Sequence, residues 1–253
     1  MTLKVTNLSG GYYHKEIISD LNFTIHDGEI VCMAGLNGAG KSTTIRHIMG
    51  LMKPFKGEIS LDGQKLSDQR MAYQKQIAYI PETPMIYDDL TLRDHIELTA
   101  LSYDIPKAEA MNRAQPLLDL FRLNCQLDWF PVDFSKGMKQ KVMIICAFIT
   151  RAKLMIIDEP FIGLDPLAMR DFVKLMQEAK ARGAGILMST HVLTSVKNVC
   201  DRMLILEEGK VRAQGTLQEI AQLFDLDINQ LDLVFEKMMA QTCQAKEGAD
   251  GGA

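Results

Sequence analysis

The sequence predicts an α/β fold in which a mixed central sheet carries an antiparallel β layer and an inserted helical lobe. Short apolar runs at residues 29–34 and 153–157 alternate with helical patterns, as in the buried strands of a largely parallel sheet. Residues 3–8 and 21–25 alternate between apolar and polar side chains, which is typical of antiparallel strands with one buried face. From about residue 91 to 151 the apolar residues recur with helical spacing, and this stretch is predicted to be the inserted lobe.

At 253 residues the chain can bury a sizeable core, and we expect a single domain followed by a frayed tail. A helix predicted at residues 107–123 should break at Pro116, because proline lacks the backbone N–H that a helix uses. The expected parts are residues 1–90 and 152–216 for the core with its antiparallel layer, 91–151 for the helical lobe, 216–240 for two amphipathic C-terminal helices (216–224 and 230–240), and 241–253 for the tail.

The composition excludes several classes of protein. The chain has 28 basic and 32 acidic residues, a slightly acidic balance that argues against nucleic acid as its main partner. The longest apolar stretches, residues 142–149 and 154–157, are too short to span a bilayer, and no signal-peptide pattern precedes Leu3. The cysteines are far apart and form no C-x-x-C pair, so we expect buried thiols in a reducing compartment. They are Cys32, Cys125, Cys146, Cys200 and Cys243.

Residues 35–43, here named the phosphate loop, fit the pattern G-x-x-x-x-G-K-S. A predicted strand leads into the loop and a predicted helix, residues 42–50, leads out, so an ordinary glycine-rich turn is the weaker interpretation. The glycines let backbone N–H groups converge on a polyphosphate, and the helix presents its positive end to the same anion. Lys41 is expected to reach the β- and γ-phosphates and Ser42 to hold Mg²⁺. The candidate nucleotide-binding residues here are Gly35, Asn37, Gly38, Ala39, Gly40, Lys41, Ser42 and Thr43.

Asp158 and Glu159 end the second apolar run, which places them at the carboxyl edge of a parallel sheet, where ligands bind. Asp158 has the position of a residue that holds Mg²⁺, and Glu159 can orient and deprotonate a water aimed at the γ-phosphate. The alternative is a strand end whose acids face solvent or cap the next turn. The apolar residues before Asp158 and the phosphate loop upstream favour the catalytic interpretation.

His191 follows Ser189 and Thr190 at the end of the next predicted strand. An imidazole there could donate a hydrogen bond to the γ-phosphate and respond to its loss. A lone histidine usually has no special role, but its place one strand beyond Asp158 favours a catalytic one.

Two further features are ambiguous on their own. Tyr12 and Tyr13 lie in a predicted loop, residues 10–14, where they either cover a sheet edge or stack on an adenine ring. The register relative to Ile18 favours Tyr12 for stacking. Ser135 can cap a helix whose free N–H groups point outward, which is typical both of a plain surface helix and of an anion site.

Together, the motifs between Gly35 and His191 resemble those of the ATP-binding subunits of ABC transporters. The resemblance covers about residues 3–216, with the Walker A motif in the phosphate loop, Walker B at 154–159, the D-loop around 164–165 and the switch histidine at His191. It implies a P-loop NTPase fold of the ABC type that uses ATP and Mg²⁺. It also implies a dimer of ATPase subunits that sandwiches two ATP molecules, so that Ser135 and Gly137 contact a nucleotide held by the partner subunit.

Two positions depart from the family pattern. The signature sequence normally reads L-S-G-G-Q, and here Phe134, Lys136 and Met138 replace three of its letters. Glu82 stands where a glutamine usually lies near Mg²⁺ and the membrane partner. A glutamate adds negative charge beside phosphate, and metal coordination could compensate for it, so Glu82 is a candidate metal ligand.

Residues 79–84, 134–141 and 159–166 resemble more closely still the ATPase of the Ecs-type exporters of Gram-positive bacteria. That resemblance implies a separate membrane-embedded permease and an ATPase dimer held peripherally at the cytoplasmic face of the cell membrane. It also implies a role linked to protein or peptide secretion.

Two functions from different classes are therefore expected. The first is an ATPase motor that closes its dimer on ATP and reopens it by hydrolysis. The second is an ATP-gated regulatory or interaction module with little intrinsic hydrolysis. Glu159 and His191 favour the motor, whereas Glu82 and Lys136 keep the module open as an alternative.

Overall fold

The computed structural model describes residues 3–191 and 197–238, and the expected α/β fold is confirmed there. Its strands form two sheets, one of four strands and one of six. The strands are β1 (Leu3–Tyr12), β2 (Lys15–Ile25), β3 (Ile30–Ala34), β4 (Lys56–Leu61), β5 (Gln64–Lys65), β6 (Ile77–Ile80), β7 (Leu154–Asp158), β8 (Gly185–Thr190), β9 (Arg202–Glu207) and β10 (Lys210–Thr216).

The smaller sheet is antiparallel and has the strand order β2-β1-β4-β5. The larger sheet has the order β10-β9-β3-β8-β7-β6. In this larger sheet β9, β3, β8, β7 and β6 run parallel, and β10 pairs antiparallel with β9. The larger sheet is therefore mixed, as predicted, and the antiparallel layer is separate from it.

The helices connect these strands, and three of the longer ones follow one another between β6 and β7. That stretch corresponds to the predicted helical lobe, whose status as a separate part of the domain stays a prediction. The helices are α1 (Lys41–Ile48), α2 (Arg70–Gln74), α3 (Leu92–Ser102), α4 (Lys107–Phe121), α5 (Lys136–Ile149), α6 (Pro166–Ala181) and α7 (Leu217–Leu223).

The expected break at Pro116 is wrong, because α4 continues through this proline to Phe121. An interior proline removes one helical hydrogen bond and costs about 3 kcal/mol. The apolar face of α4 packs against α3 and α5 and buries Ala114 and Leu118 on either side of the proline. Burial of this face outweighs the lost bond, because most helical stability in proteins comes from tertiary packing.

Residues 10–14 also differ from the prediction of a loop. Gly10, Gly11 and Tyr12 belong to β1, which pairs with β2 as far as Tyr12 opposite Lys15. A β-carbon at Gly11 would lie 2.0 Å from the Lys15 carbonyl oxygen, so the glycine permits a close approach of the two strands. Gly10 and Gly11 predict a loop from the local sequence, but in the structure they take part in strand pairing.

The C-terminal segment agrees with the prediction in part. Helix α7 is capped by Thr216, as residues 216–224 predict. The second expected helix, 230–240, instead begins as a 3₁₀ helix at Ile228–Leu233 and continues as α-helix over 234–238; its end and the tail lie outside the described residues. Cys32, Cys146 and Cys200 are buried thiols, but Cys125 is exposed, contrary to expectation, and Cys243 lies outside the described residues.

The six-stranded sheet separates two cores, because alternate side chains of its strands point to opposite faces. Met155 and Ile157 of β7 pack with helices α3 to α6, where Phe172 meets Phe148 edge to face at a ring distance of 5.9 Å. Leu154 and Ile156 pack on the other face with α1 and the antiparallel sheet. The second core therefore holds α1 and the strand ends of the candidate site together.

Tyr73 joins helix α2 to the end of α1. Its side chain is fully buried, and its phenol donates a 2.9 Å hydrogen bond to the Ile48 carbonyl oxygen. The Tyr73→Phe variant leaves this buried carbonyl without its donor, so we expect the free energy of unfolding to fall by about 1–3 kcal/mol in urea denaturation. The control is Tyr13→Phe. Because Tyr13 is 99% exposed, loss of its hydroxyl group should leave the free energy of unfolding unchanged. Equal stabilities of the two variants would contradict this role for the bond.

Candidate nucleotide-binding site

The phosphate loop lies between the end of β3 and the start of α1, as predicted. Inside it, the Ala39 amide donates to the Leu36 carbonyl oxygen at 3.1 Å, and Gly40 takes a positive φ of 102° immediately before the helix. No side chain caps the start of α1. Its first N–H groups are therefore available to an anion.

A cavity of about 180 Å³ opens at the loop and brings together most of the predicted nucleotide-binding residues. Gly35 is not among its described lining residues. A β-carbon at Gly35 would lie 2.7 Å from the Leu206 carbonyl oxygen of β9, so this glycine allows the loop to pack on the sheet. The lining residues are Ile17, Asn37, Gly38, Ala39, Gly40, Lys41, Ser42 and Thr43.

The Lys41 side chain folds over the loop, and its Nζ donates to the carbonyl oxygens of Gly35 at 2.6 Å and Leu36 at 3.3 Å. Burial lowers the pKa of Lys41, while the negative charges of Glu159, Asp158 and Glu82 act in the opposite direction. The lysine thus lies in the field of all three predicted carboxylates, although Glu82 itself is exposed. A cation at the start of a helix whose first N–H groups have no side-chain cap is suited to bind a polyphosphate.

Glu159 is held by residues at the end of the neighbouring strand. Its carboxylate accepts hydrogen bonds from the His191 amide at 3.1 Å and from His191 Nδ1 at 2.6 Å through one oxygen, and from the Thr190 hydroxyl at 3.2 Å through the other. Its amide donates to the Ser189 carbonyl oxygen at 3.1 Å. The Glu159 side chain is only 10% exposed. The structure therefore brings the predicted base and the predicted switch histidine into direct contact.

Asp158 ends β7 directly opposite Ser189 of β8, and the Ser189 hydroxyl donates a hydrogen bond to its Oδ1. Asp158 is partly exposed, whereas Ser189 is fully buried. The Ser189 hydroxyl therefore holds one oxygen of the Asp158 carboxylate, which lies at the carboxyl edge of the sheet.

Tyr12 ends β1, and its ring is 37% exposed. Its phenol oxygen accepts a 2.7 Å hydrogen bond from Arg46 of α1, which ties the tyrosine to the helix that begins at the phosphate loop. Tyr12 does not line the cavity at the loop, so the structure places it beside the site and partly exposed to solvent.

Ser135 and Gly137 form a second group, apart from the loop cavity. Ser135 caps α5, and its hydroxyl oxygen accepts a 3.2 Å hydrogen bond from the Met138 amide. A β-carbon at Gly137 would lie 2.8 Å from the Gly163 carbonyl oxygen, so the start of α5 packs closely on the segment that follows Glu159. Asp165 caps α6, and its bond from the Ala168 amide, then that from Lys141, lowers the pKa of Asp165.

Sequence patterns alone did not identify Ile17, Thr190 or Gly209 as parts of the site. Ile17 lines the loop cavity from β2, and Gly209 holds the loop from the β9–β10 turn. Thr190 completes the hydrogen bonds to Glu159. Only Gly209, in a Glu-Gly turn, carries a local signal, and that signal indicates a turn rather than a contact with the loop.

The fold and the site define a P-loop nucleoside triphosphatase, with a phosphate loop between strand and helix and two carboxylates at the same sheet edge. The sequence model of the family described as ABC transporter matches residues 18–162, and the chain belongs to that family.

Similar proteins agree with this assignment. The ABC-type transporter ATP-binding protein EcsA of Bacillus subtilis (strain 168) is 50% identical over 230 residues, which cover 91% of this chain and 93% of that protein. The SkfA peptide export ATP-binding protein SkfE of the same organism is 35% identical and covers 83% of this chain and 87% of its own length. A solved structure of an ATP-binding subunit of an ABC transporter has a TM-score of 0.91 at 50% identity, with 94% of this chain and 100% of that chain covered.

The chain is therefore an ATP-binding and ATP-hydrolysing subunit of an ABC transporter. Subunits of this class dimerise and pair with membrane permease components. The comparisons give no support to the alternative of an ATP-gated module with little hydrolysis. Within the described residues, every helix is too short or too polar to cross a bilayer.

Gly209 offers a test of how the phosphate loop is held. Its amide donates to the Ala39 carbonyl oxygen at 3.1 Å, its φ is 78°, and a β-carbon there would lie 2.0 Å from the Ile17 carbonyl oxygen. The Gly209→Ala variant should therefore displace the loop, weaken ATP binding and lower the free energy of unfolding by about 1–3 kcal/mol beyond the backbone effect.

The matched control is Gly63→Ala, because Gly63 has a φ of 77° and open space around its β-carbon position. This control carries the same backbone strain without the clash. Binding of a fluorescent ATP analogue and urea denaturation measure the two effects. If Gly63→Ala weakened nucleotide binding as much as Gly209→Ala, the contact between Gly209 and Ile17 would have no part in holding the loop.

Proposed function

We propose that this chain is the ATPase motor of an exporter, with hydrolysis carried out at the carboxyl edge of the six-stranded sheet. The observation that carries the proposal is the position of Glu159, which is buried beside Asp158, held by His191 and electrostatically coupled to Lys41 of the phosphate loop. A base, a metal-binding carboxylate and a phosphate-binding cation at one edge are the parts that phosphoryl transfer to water requires.

In this proposal the phosphate loop binds the polyphosphate of ATP. The Lys41 ammonium leaves the two loop carbonyls and donates to the β- and γ-phosphates, while the uncapped amides at the start of α1 donate to the same anion. Gly35, Asn37, Gly38, Ala39, Gly40 and Thr43 supply the backbone path that brings these donors together.

Mg²⁺ would be held by oxygen atoms of Ser42, Asp158 and Glu82. Hydroxyl and carboxylate oxygens are the ligands that this hard cation prefers, and the charge of Glu82 acts on Lys41 across the site, so the residues present fit the ion. When bound, Mg²⁺ supplies charge neutralisation at the phosphates. Bound Mg²⁺ would also offset the repulsion between Glu82 and the phosphates, which makes a glutamate compatible with this position.

Glu159 acts as the general base toward the attacking water. In the structure its carboxylate accepts three hydrogen bonds, which stabilise the ionised form, so loss of one of these donors favours proton uptake from water. We assign that loss to His191, whose imidazole exchanges Glu159 for the γ-phosphate when ATP is present. The same histidine would then couple the presence of the γ-phosphate to the ability of Glu159 to accept a proton.

Residues outside the loop cavity complete the nucleotide-binding site. Tyr12, anchored through its phenol by Arg46, stacks its exposed ring on the adenine. Ser135 and Gly137 at the start of α5 contact the ATP held by the other subunit of a dimer, which explains why they lie apart from the loop of their own chain. ATP then closes the dimer and hydrolysis reopens it.

The motor works on a membrane-embedded permease to which the chain binds at the cytoplasmic face of the cell membrane. The cargo we propose is a protein or peptide, on the grounds of the printed function of the SkfE relative and the likeness to EcsA. The proposal includes no nucleic-acid partner, in keeping with the slightly acidic balance of the chain.

The Glu159→Gln variant tests the assignment of the base. The amide cannot accept the proton of water, so steady-state Mg-ATP hydrolysis should fall by about 10²–10⁴-fold while ATP binding persists. ATP-bound dimers should accumulate and be detected by light scattering after gel filtration. The control is Glu178→Gln on the exposed face of α6, which should hydrolyse ATP at the rate of the unmodified chain. Undiminished turnover in Glu159→Gln would refute the proposed role of this residue.

Mixing two inactive variants tests the shared site. Lys41→Ala removes the phosphate-binding cation, and Ser135→Arg blocks the start of α5, so each variant alone should be inactive. A mixed dimer contains one site built from the intact loop of one chain and the intact α5 of the other, and hydrolysis should therefore return in part. If all residues at a site came from one chain, mixing would restore nothing.

A further inference from the structure

We propose that Tyr79 positions the Asp158 carboxylate for the reaction by donating a hydrogen bond from its phenol. The inference rests on the proposed function, in which Asp158 holds Mg²⁺. It adds to the site a residue of β6, which belongs neither to the phosphate loop nor to the Walker B strand and is separate from the switch histidine.

The strand register puts the two side chains on one face of the sheet. β6 pairs parallel with β7 so that Tyr79 lies opposite Ile156, and Asp158 follows Ile156 by two residues. Since side chains alternate along a strand, Ile156 and Asp158 point to the same side, and Tyr79 points there too. Tyr79 and Ile156 both pack in the core that contains α1 and the antiparallel sheet. Tyr79 is therefore a diagonal neighbour of Asp158, at a distance that a tyrosine side chain can span.

The electrostatic surroundings of the phenol agree with this geometry. Burial is the main cause that raises the pKa of Tyr79, to about 12, and the negative charge of Asp158 acts in the same direction. Arg46 opposes these effects from the side of α1, and Glu82 adds to them. A tyrosine phenol keeps its proton at neutral pH, so a Tyr79 hydroxyl beside Asp158 is a donor for that carboxylate.

Asp158 then has one donor from each neighbouring strand. Ser189 of β8 donates to its Oδ1, and Tyr79 approaches from β6 on the opposite side of β7. Two donors from opposite sides restrict rotation of the carboxylate about its χ angles, so its free lone pairs keep one direction. A metal-binding carboxylate that is oriented in this way binds its ion more tightly, because less side-chain freedom is lost on binding.

The test is the Tyr79→Phe variant, which keeps the ring in the core and removes only the hydroxyl group. Mn²⁺ replaces Mg²⁺ as the probe, and its binding in the presence of a non-hydrolysable ATP analogue is followed by electron paramagnetic resonance. We expect Mn²⁺ to bind about 10–100-fold more weakly than in the unmodified chain. Binding of the nucleotide in EDTA and the melting temperature should stay unchanged, and Tyr13→Phe, which alters an exposed tyrosine, should behave as the unmodified chain in every measurement.

Asp158→Asn separates this inference from the proposed function. If Asp158→Asn leaves Mn²⁺ binding intact, the assignment of Asp158 to the metal fails. If Asp158→Asn weakens Mn²⁺ binding but Tyr79→Phe does not, only the role of Tyr79 is overturned. A Tyr79→Phe variant that loses nucleotide affinity in EDTA as strongly as it loses Mn²⁺ affinity would mean that Tyr79 supports the core rather than the carboxylate, and this result would overturn the inference too.

Discussion

The register of three parallel strands determines the geometry on which the site depends. β3 pairs with β8 so that Met33 lies opposite Ser189 and Ala34 opposite Thr190, and β8 pairs with β7 so that Ser189 lies opposite Asp158. The phosphate loop, the buried donors and the Asp158 carboxylate therefore start from one row across the sheet. A slip of one residue would turn Asp158 to the helical face of the sheet. Because both faces of these strands are buried, the apolar packing that stabilises the domain also fixes this register.

Glu159 shows how the fold accommodates strain at this edge. Its φ of 48° lies in the left-handed region, which costs a non-glycine residue of order 1–3 kcal/mol. The strained residue turns the chain sharply after Asp158, so that two consecutive carboxylates serve different partners. The hydrogen bonds that the Glu159 carboxylate accepts from His191 and Thr190 offset this cost, together with the one that the Glu159 amide donates to the Ser189 carbonyl oxygen. A more relaxed turn at this position would separate the Glu159 carboxylate from His191, which donates to it.

The parts of the site that depend on local sequence could be predicted, and those that depend on distant contacts could not. The phosphate loop and the pair Asp158 and Glu159 are short motifs whose flanking elements are visible in the sequence. Gly209 reaches the loop from more than 160 residues along the chain, and only strand order reveals that contact. The helix break predicted at Pro116 was wrong for a similar reason, since the packing of α4 on its neighbours outweighs the local helix-breaking preference of proline. Hydrogen bonding of Glu159 by His191 is likewise a property of the assembled sheet.

The segment after Glu159 links the two groups of site residues within one chain. It runs from the strained Glu159 through Gly163, whose carbonyl oxygen packs on Gly137, to Asp165, which caps α6 and pairs with Lys141 of α5. The contact at Gly137 is close, because a β-carbon there would lie 2.8 Å from the Gly163 carbonyl oxygen. In the proposed dimer, a nucleotide bound at the start of α5 would therefore lie against the same segment that carries Glu159 of the chain's own site. This packing is a physical route by which occupancy of one shared site would bias the other.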